Sequence, residues 1–177
     1  ILEEIEHAAS AGPARITTVK DGNKKSGIIV EGIDDLAVRF SKCCSPVPGD
    51  EIIGYVTRGR GISIHRTDCT NVMNMPEEDR KRLIEAEWRN PDNKGEDEKY
   101  ATEIIVYSQN RNGILFDITR IFTERDIEVD SMNVRTAKNG RATINIGFKV
   151  EGKEHLKSLV EKIRAVEGVL DIQRTSS

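Results

Sequence analysis

The ten residues from Asn90 to Lys99 contain no apolar side chain. Such a stretch has nothing to bury that would offset the entropy of ordering it, so no single core can run through it. The chain therefore reads as two small domains joined by a linker over 90–99, each closing its own core within about 75 residues. Ahead of them, Ile1-Leu2-Glu3-Glu4-Ile5-Glu6-His7-Ala8-Ala9 is helix-like and opens without Met. Residues 1–13 thus read as the end of a preceding helical region in something longer.

Between 14 and 89, short β-like runs alternate with turn signals: Ala14 to Val19, Gly27 to Glu31, Leu36 to Phe40, Glu51 to Thr57, Gly61 to His65 and Leu83 to Trp88. The turns fall at Asp21-Gly22-Asn23, at Pro46-Val47-Pro48-Gly49-Asp50 and at Arg58-Gly59-Arg60-Gly61, and a short helix is predicted around Cys69 to Met75. The expectation is a small β-rich module. After the linker the periodicity sharpens. Ala101 to Ser108 reads as a strand, and Ile114, Leu115, Ile118, Ile121 and Phe122 make one helical stripe. Glu128 to Thr136 is a second strand, and Asn139-Gly140 supplies the positive φ of a hairpin. Ala142, Ile144, Ile146, Phe148 and Val150 alternate as a third strand with one buried face. Leu156, Leu159, Val160 and Ile163 form a second stripe, and Gly168 to Gln173 closes the order βαββαβ over 100–177. That order is the ferredoxin-like split motif, and the whole chain is α+β.

No apolar run approaches the ~20 residues that span a bilayer, and no charged-then-apolar secretory start is present. Three cysteines, an odd number without such a start, fit a reducing cytoplasm and read as thiols or metal ligands. A net charge of −3, from 27 Lys+Arg against 30 Asp+Glu, excludes a chain coated in positive charge for non-specific duplex binding. Local basic faces stay open to nucleic acid.

Three constellations carry chemistry. All three cysteines, Cys43, Cys44 and Cys69, fall in the β-rich module with His65, and thiolate plus imidazole is the donor set tetrahedral zinc prefers. Neighbours in an extended strand point to opposite faces, so Cys43 and Cys44 reach one ion only where the backbone turns. Buried structural cysteines and redox-sensing thiols are the competing readings. If a metal binds, four protein ligands leave no open position, which makes it structural and not catalytic. In the same module Arg39, Lys42, Arg58, Arg60 and Arg66 oppose Asp50, Glu51 and Asp68. Two of these arginines share a glycine-rich hairpin, an arrangement that suits phosphate contact as well as a solvated turn. Thirdly, Asn110-Arg111-Asn112-Gly113-Ile114 joins the first strand of the second domain to its first helix. Backbone N–H groups there would favour the carboxylate of a small amino acid, or the loop is an Asn-capped helix start. No nucleophile and base stand together, and His7 and His155 lie in charged, helix-like surroundings. The chain is expected to hold no active site.

The run Arg39-Phe40-Ser41-Lys42-Cys43-Cys44-Ser45-Pro46-Val47-Pro48-Gly49-Asp50, then Ile53-Gly54 and Gly59-Arg60-Gly61-Ile62-Ser63-Ile64-His65-Arg66-Thr67-Asp68-Cys69-Thr70-Asn71, resembles the conserved-cysteine or zinc-finger (RIS) module of the RelA/SpoT family. These are long bacterial synthetase/hydrolases of the alarmone (p)ppGpp. Residues 100–177 resemble the ACT domain that ends them, with Asn110 to Ile114 matching the ACT first-turn pattern Asp/Asn-Arg-x-Gly-Leu/Ile. The resemblance implies a non-catalytic regulatory fragment that binds the ribosome and uncharged tRNA and relays starvation to a catalytic N-terminal half. It implies structural zinc on Cys43, Cys44, His65 and Cys69, and RNA contacts from Lys42, Arg58, Arg60 and Arg66. It further implies a side-by-side ACT homodimer and a branched-chain amino acid held by Asn110, Arg111, Asn112, Gly113, Ile114, Leu115 and Asn133. Asn112 stands where many ACT domains have Pro, which predicts a less fixed loop. Two alternatives remain: an ACT-type amino-acid-binding feedback domain of a metabolic enzyme, and an independent zinc or thiol redox switch.

Overall fold

The computed structural model describes residues 28–30, 37–59, 61–89 and 98–175. The chain divides into two compact units. The expected leading helix, the strand over Ala14 to Val19, Arg60 and most of the expected linker lie outside the described residues.

The first unit is a five-stranded sheet of β1 (Ile28–Val30), β2 (Val38–Phe40), β3 (Ile52–Val56), β4 (Ile62–Arg66) and β5 (Leu83–Trp88), in the order β1-β5-β3-β4-β2. β3 and β4 pair antiparallel as a hairpin, as expected. β2 then adds to β4 in parallel, Val38 opposite Ile62 and Phe40 opposite Ile64. Alternation drives Ile52 and Val56 of β3 and Ile62 and Ile64 of β4 to one face, where they bury with Ile28, Ala86 and Trp88. Trp88 stacks on Phe40 with centroids 5.6 Å apart, and its indole N–H donates to the Asp50 carbonyl at 3.0 Å. The predicted helix around Cys69 to Met75 is α1, Thr70–Met73. A second turn of helix, α2 (Glu77–Arg80), follows Pro76. Proline before three acidic residues, Glu77, Glu78 and Asp79, is a helix-start signal, and sequence reasoning passed over it.

The second unit runs β6 (Tyr100–Gln109), α3 (Ile114–Glu124), β7 (Val129–Thr136), β8 (Arg141–Val150), α4 (Lys153–Arg164) and β9 (Val169–Arg174). Its antiparallel sheet has the order β7-β8-β6-β9, the ferredoxin-like arrangement that the periodicity predicted. Ile104, Val106, Ile144, Ile146, Phe148 and Val150 point to the helix-covered face and bury completely against Ile118, Leu159 and Ile163. Each contributes about 1.5–3 kcal/mol relative to exposure. Phe122 meets Phe148 edge-on at 5.2 Å. In the β7–β8 turn only Gly140 has positive φ, at 75°. Asn139 acts differently from the expectation: its side-chain oxygen accepts from the Arg141 N–H at 3.2 Å.

Candidate metal centre

The backbone turn that the adjacent cysteines require is present. Past β2, the Ser41 N–H donates to the Ile64 carbonyl at 2.9 Å, and the Ser45 N–H closes back on the Ser41 carbonyl at 3.0 Å. Ser45 itself is left-handed, with φ 43°. This tight loop turns Cys43 and Cys44 toward one point instead of opposite faces. His65 comes from β4, the strand to which the loop is tied. Cys69 comes from the N-cap of α1, where its carbonyl accepts the Val72 and Met73 N–H groups at 3.0 and 2.9 Å.

The four donor atoms lie within 4.8 Å of one another, so Cys43, Cys44, His65 and Cys69 could hold a metal ion. Cys43 Sγ is 3.4 Å from His65 Nδ1 and 3.4 Å from Cys69 Sγ, and Cys44 Sγ is 3.8 Å from the same nitrogen. A tetrahedral zinc with bonds of about 2.3 Å to sulfur and about 2.0 Å to nitrogen separates its ligands by about 3.5–3.8 Å. The donor set and its spacing fit that ion. The three cysteines are free thiols, Cys44 and Cys69 buried and Cys43 half-buried.

A second layer holds these donors. Ser63 Oγ lies 3.3 Å from His65 Nε2, which leaves Nδ1 to face the sulfurs. Ser41 Oγ lies 2.9 Å from Cys43 Sγ, and the Arg66 N–H donates to Cys44 Sγ at 3.3 Å. Sequence reasoning missed Ser41 and Ser63. Their signal was spacing, since each stands two residues before a ligand and Ser63 shares a strand face with His65. Burial would push the Cys43 thiol up, but hydrogen bonds from Ser41, Asn71 and the neighbouring thiols outweigh it and hold its pKa below the ordinary value. Burial pushes the Cys44 thiol up to about 12, against the Arg66 N–H, with the neighbouring sulfurs adding to the rise. Burial also lowers His65, keeping its imidazole neutral and its lone pair available.

The other candidates are dispersed. Lys42 and Arg58 are exposed, whereas Arg66 is buried and its Nε donates to Asp68 at 2.9 Å. In the second unit the Asn-capped reading of the loop is corrected: α3 opens on Gly113, with φ 81°, and no side chain caps it. Asn110 and Asn112 are exposed, and the Asn110 backbone N–H donates to the Gly140 carbonyl at 2.8 Å. The loop is fixed without a proline. Arg111 donates to the Glu167 carbonyl at 2.8 Å, to the Asn112 carbonyl at 3.0 Å and to Asp117 at 2.6 Å. Ile114 is committed to the core, Leu115 is exposed, and Asn133 is exposed on β7 opposite Asn145.

Comparison with known proteins gives two family matches, the RelA/SpoT RIS domain over residues 28–89 and the ACT domain over residues 96–174. The GTP pyrophosphokinase of Streptomyces coelicolor is 34% identical over 175 residues, 99% of this chain and 20% of that protein. The bifunctional (p)ppGpp synthase/hydrolase RelA of Mycobacterium tuberculosis is 33% identical over 174 residues, 98% of this chain and 23% of that protein. Among solved structures, the ACT domain from the GTP pyrophosphokinase of Chlorobium tepidum aligns at 26% identity over 44% of this chain and 99% of that one, with a TM-score of 0.40. The chain thus spans about a fifth of the length of the curated relatives it matches. No helix among the described residues is long and apolar enough to cross a membrane. A RIS domain that carries the four-donor cluster, followed by an ACT domain, makes this chain a member of the RelA/SpoT family.

Proposed function

We propose that this chain is the C-terminal regulatory part of a longer cytoplasmic (p)ppGpp synthetase/hydrolase, and that it sets the balance of the two activities in a catalytic N-terminal half. The observation that carries this reading is the succession of RIS and ACT domains in one chain whose relatives are GTP pyrophosphokinases. The RIS module docks on ribosomal RNA and uncharged tRNA, with exposed Lys42 and Arg58 making phosphate contacts. Arg60 adds a further phosphate contact in this reading, while the burial of the Arg66 side chain and its pairing with the exposed Asp68 support a structural role for that arginine. The ACT domain pairs with a second copy and holds a branched-chain amino acid at the Asn110 to Leu115 loop and Asn133. A ligand there regulates by favouring one conformation of the whole protein. Calorimetric titration of the chain with leucine, isoleucine and valine tests the sensor. Heat is expected with the natural chain and none with Asn110→Ala, a change that removes no helix cap. Silence from both would sink amino-acid sensing at this loop and leave docking as its role.

Zinc on the four donors is the structural cross-link of the RIS module in this reading. Cys44, at about 12, is a thiol throughout neutral pH, so zinc must displace its proton. Uptake should therefore tighten as pH rises. Competition against a chromogenic chelator at pH 6.5, 7.5 and 8.5 is expected to show Kd falling at least ~10-fold per unit. A flat Kd would mean that Cys44 does not bind as thiolate.

A further inference from the structure

The Cys43 and Cys69 sulfurs touch at 3.4 Å, and neither is in a disulfide. A disulfide bond is about 2.05 Å long, so about 1.4 Å of approach separates these thiols from a covalent link. Cys43 is the half-buried member of the trio and stands on a tight loop, whereas Cys44 is buried and held by the Arg66 N–H. Ser41 Oγ, 2.9 Å from Cys43 Sγ, is placed to donate to that sulfur when it is a thiolate. A link between adjacent Cys43 and Cys44 would strain the peptide they share. The geometry therefore selects one pair.

We propose that hydrogen peroxide converts Cys43 and Cys69 into a reversible intramolecular disulfide, and that this oxidised module cannot hold a metal. Cys43 sulfur attacks one peroxide oxygen, the O–O bond breaks, and hydroxide leaves as water with the thiol proton, giving Cys43 sulfenic acid. Cys69 sulfur then attacks Cys43 Sγ, the S–O bond breaks, and a second water leaves with the Cys69 proton. Two thiols lose two hydrogens and two electrons, and one peroxide becomes two waters. Cys44 and His65 remain, too few to retain a tetrahedral ion. Only this last consequence rests on the reading of the cluster as a zinc site.

The test treats the purified chain with a small excess of hydrogen peroxide, once metal-free and once zinc-loaded, and reads intact mass, fragment-resolved peptide mapping and zinc release to a chromogenic chelator. The expected product has lost two hydrogens, links Cys43 to Cys69, and returns to the dithiol with dithiothreitol. The mass loss should persist in Cys44→Ser and vanish in Cys43→Ser, and Cys69→Ser should leave a Cys43 sulfenic acid that dimedone traps. From the loaded chain one zinc is released per disulfide. A main product linking Cys44 to Cys69, or linking two chains, overturns the proposal, as does Cys43 sulfenic acid persisting in the natural chain. Absence of zinc uptake would count against the metal reading alone, because the metal-free arm still decides the disulfide.

Discussion

In Cys44→Ala, the stabilisation that zinc confers on the RIS module is expected to fall by about 2.5–4 kcal/mol while the metal-free module changes little. A structural zinc site of this kind is worth about 10–16 kcal/mol of apparent binding energy, so one ligand in four carries about 2.5–4 kcal/mol. That corresponds to a loss of affinity on the order of 10²–10³-fold. In the metal-free chain Cys44 is a neutral, buried thiol pushed up to about 12, and alanine removes one sulfur and its acceptance of the Arg66 N–H. That costs about 1 kcal/mol. Thermal unfolding with and without zinc separates the two contributions. The natural chain should show a large upward shift with zinc and the variant a clearly smaller one. An undiminished shift in the variant would remove Cys44 from the ligand set and leave a three-donor site.

The contrast between the two units explains what could be read in advance. In the ACT domain each strand and helix faces one core, so period-2 and period-3.6 patterns mark the strand from Ala142 to Val150 and the stripe from Ile114 to Phe122 within a residue or two of their observed ends. The first unit depends on pairings that periodicity does not encode. Nothing in Val38-Arg39-Phe40 says that β2 joins β4 in parallel, and that pairing brings the Cys43 loop beside His65. The ligand residue types were legible from their concentration, and the need for a turn followed from the adjacency of Cys43 and Cys44. The position of the turn was not legible: the prolines pointed to 46–50, but the chain closes at Ser41 to Ser45, with Ser45 in a left-handed conformation. The Asn110 loop misled for a related reason. Asn is a good cap by propensity, but Arg111 had a stronger use for the loop and clamps it to Asp117 and to the Glu167 carbonyl.

That dependence on β2 makes Gly61→Ala the second large effect. Gly61 has φ 82°, and a Cβ there would sit 2.2 Å from the Ala37 carbonyl oxygen, a backbone atom that cannot rotate away. The same oxygen accepts the Ile62 N–H at 2.9 Å, the first bond of the parallel β2–β4 pair. On its other side, the Gly61 carbonyl takes the Thr57 N–H at 2.9 Å and the Thr57 hydroxyl at 2.7 Å, so residue 61 cannot retreat without opening the β3–β4 turn. Left-handed strain of about 1–3 kcal/mol and the lost hydrogen bond together give about 2–4 kcal/mol of destabilisation. Because β2 leads directly into the Ser41 to Ser45 loop, its displacement also moves Cys43 and Cys44 away from His65. Zinc affinity should therefore fall about tenfold or more, as it does when groups supporting metal ligands are lost. Gly59→Ala is the matched control: its φ is 76°, yet nothing lies within 4 Å of an added Cβ. It should cost about 1 kcal/mol from backbone strain alone and leave zinc binding intact. Denaturant unfolding and zinc competition on the pair decide the matter. Equal losses in both would mean that the hairpin and the cysteine loop are not coupled through β2, and that the placement of the donors has another origin.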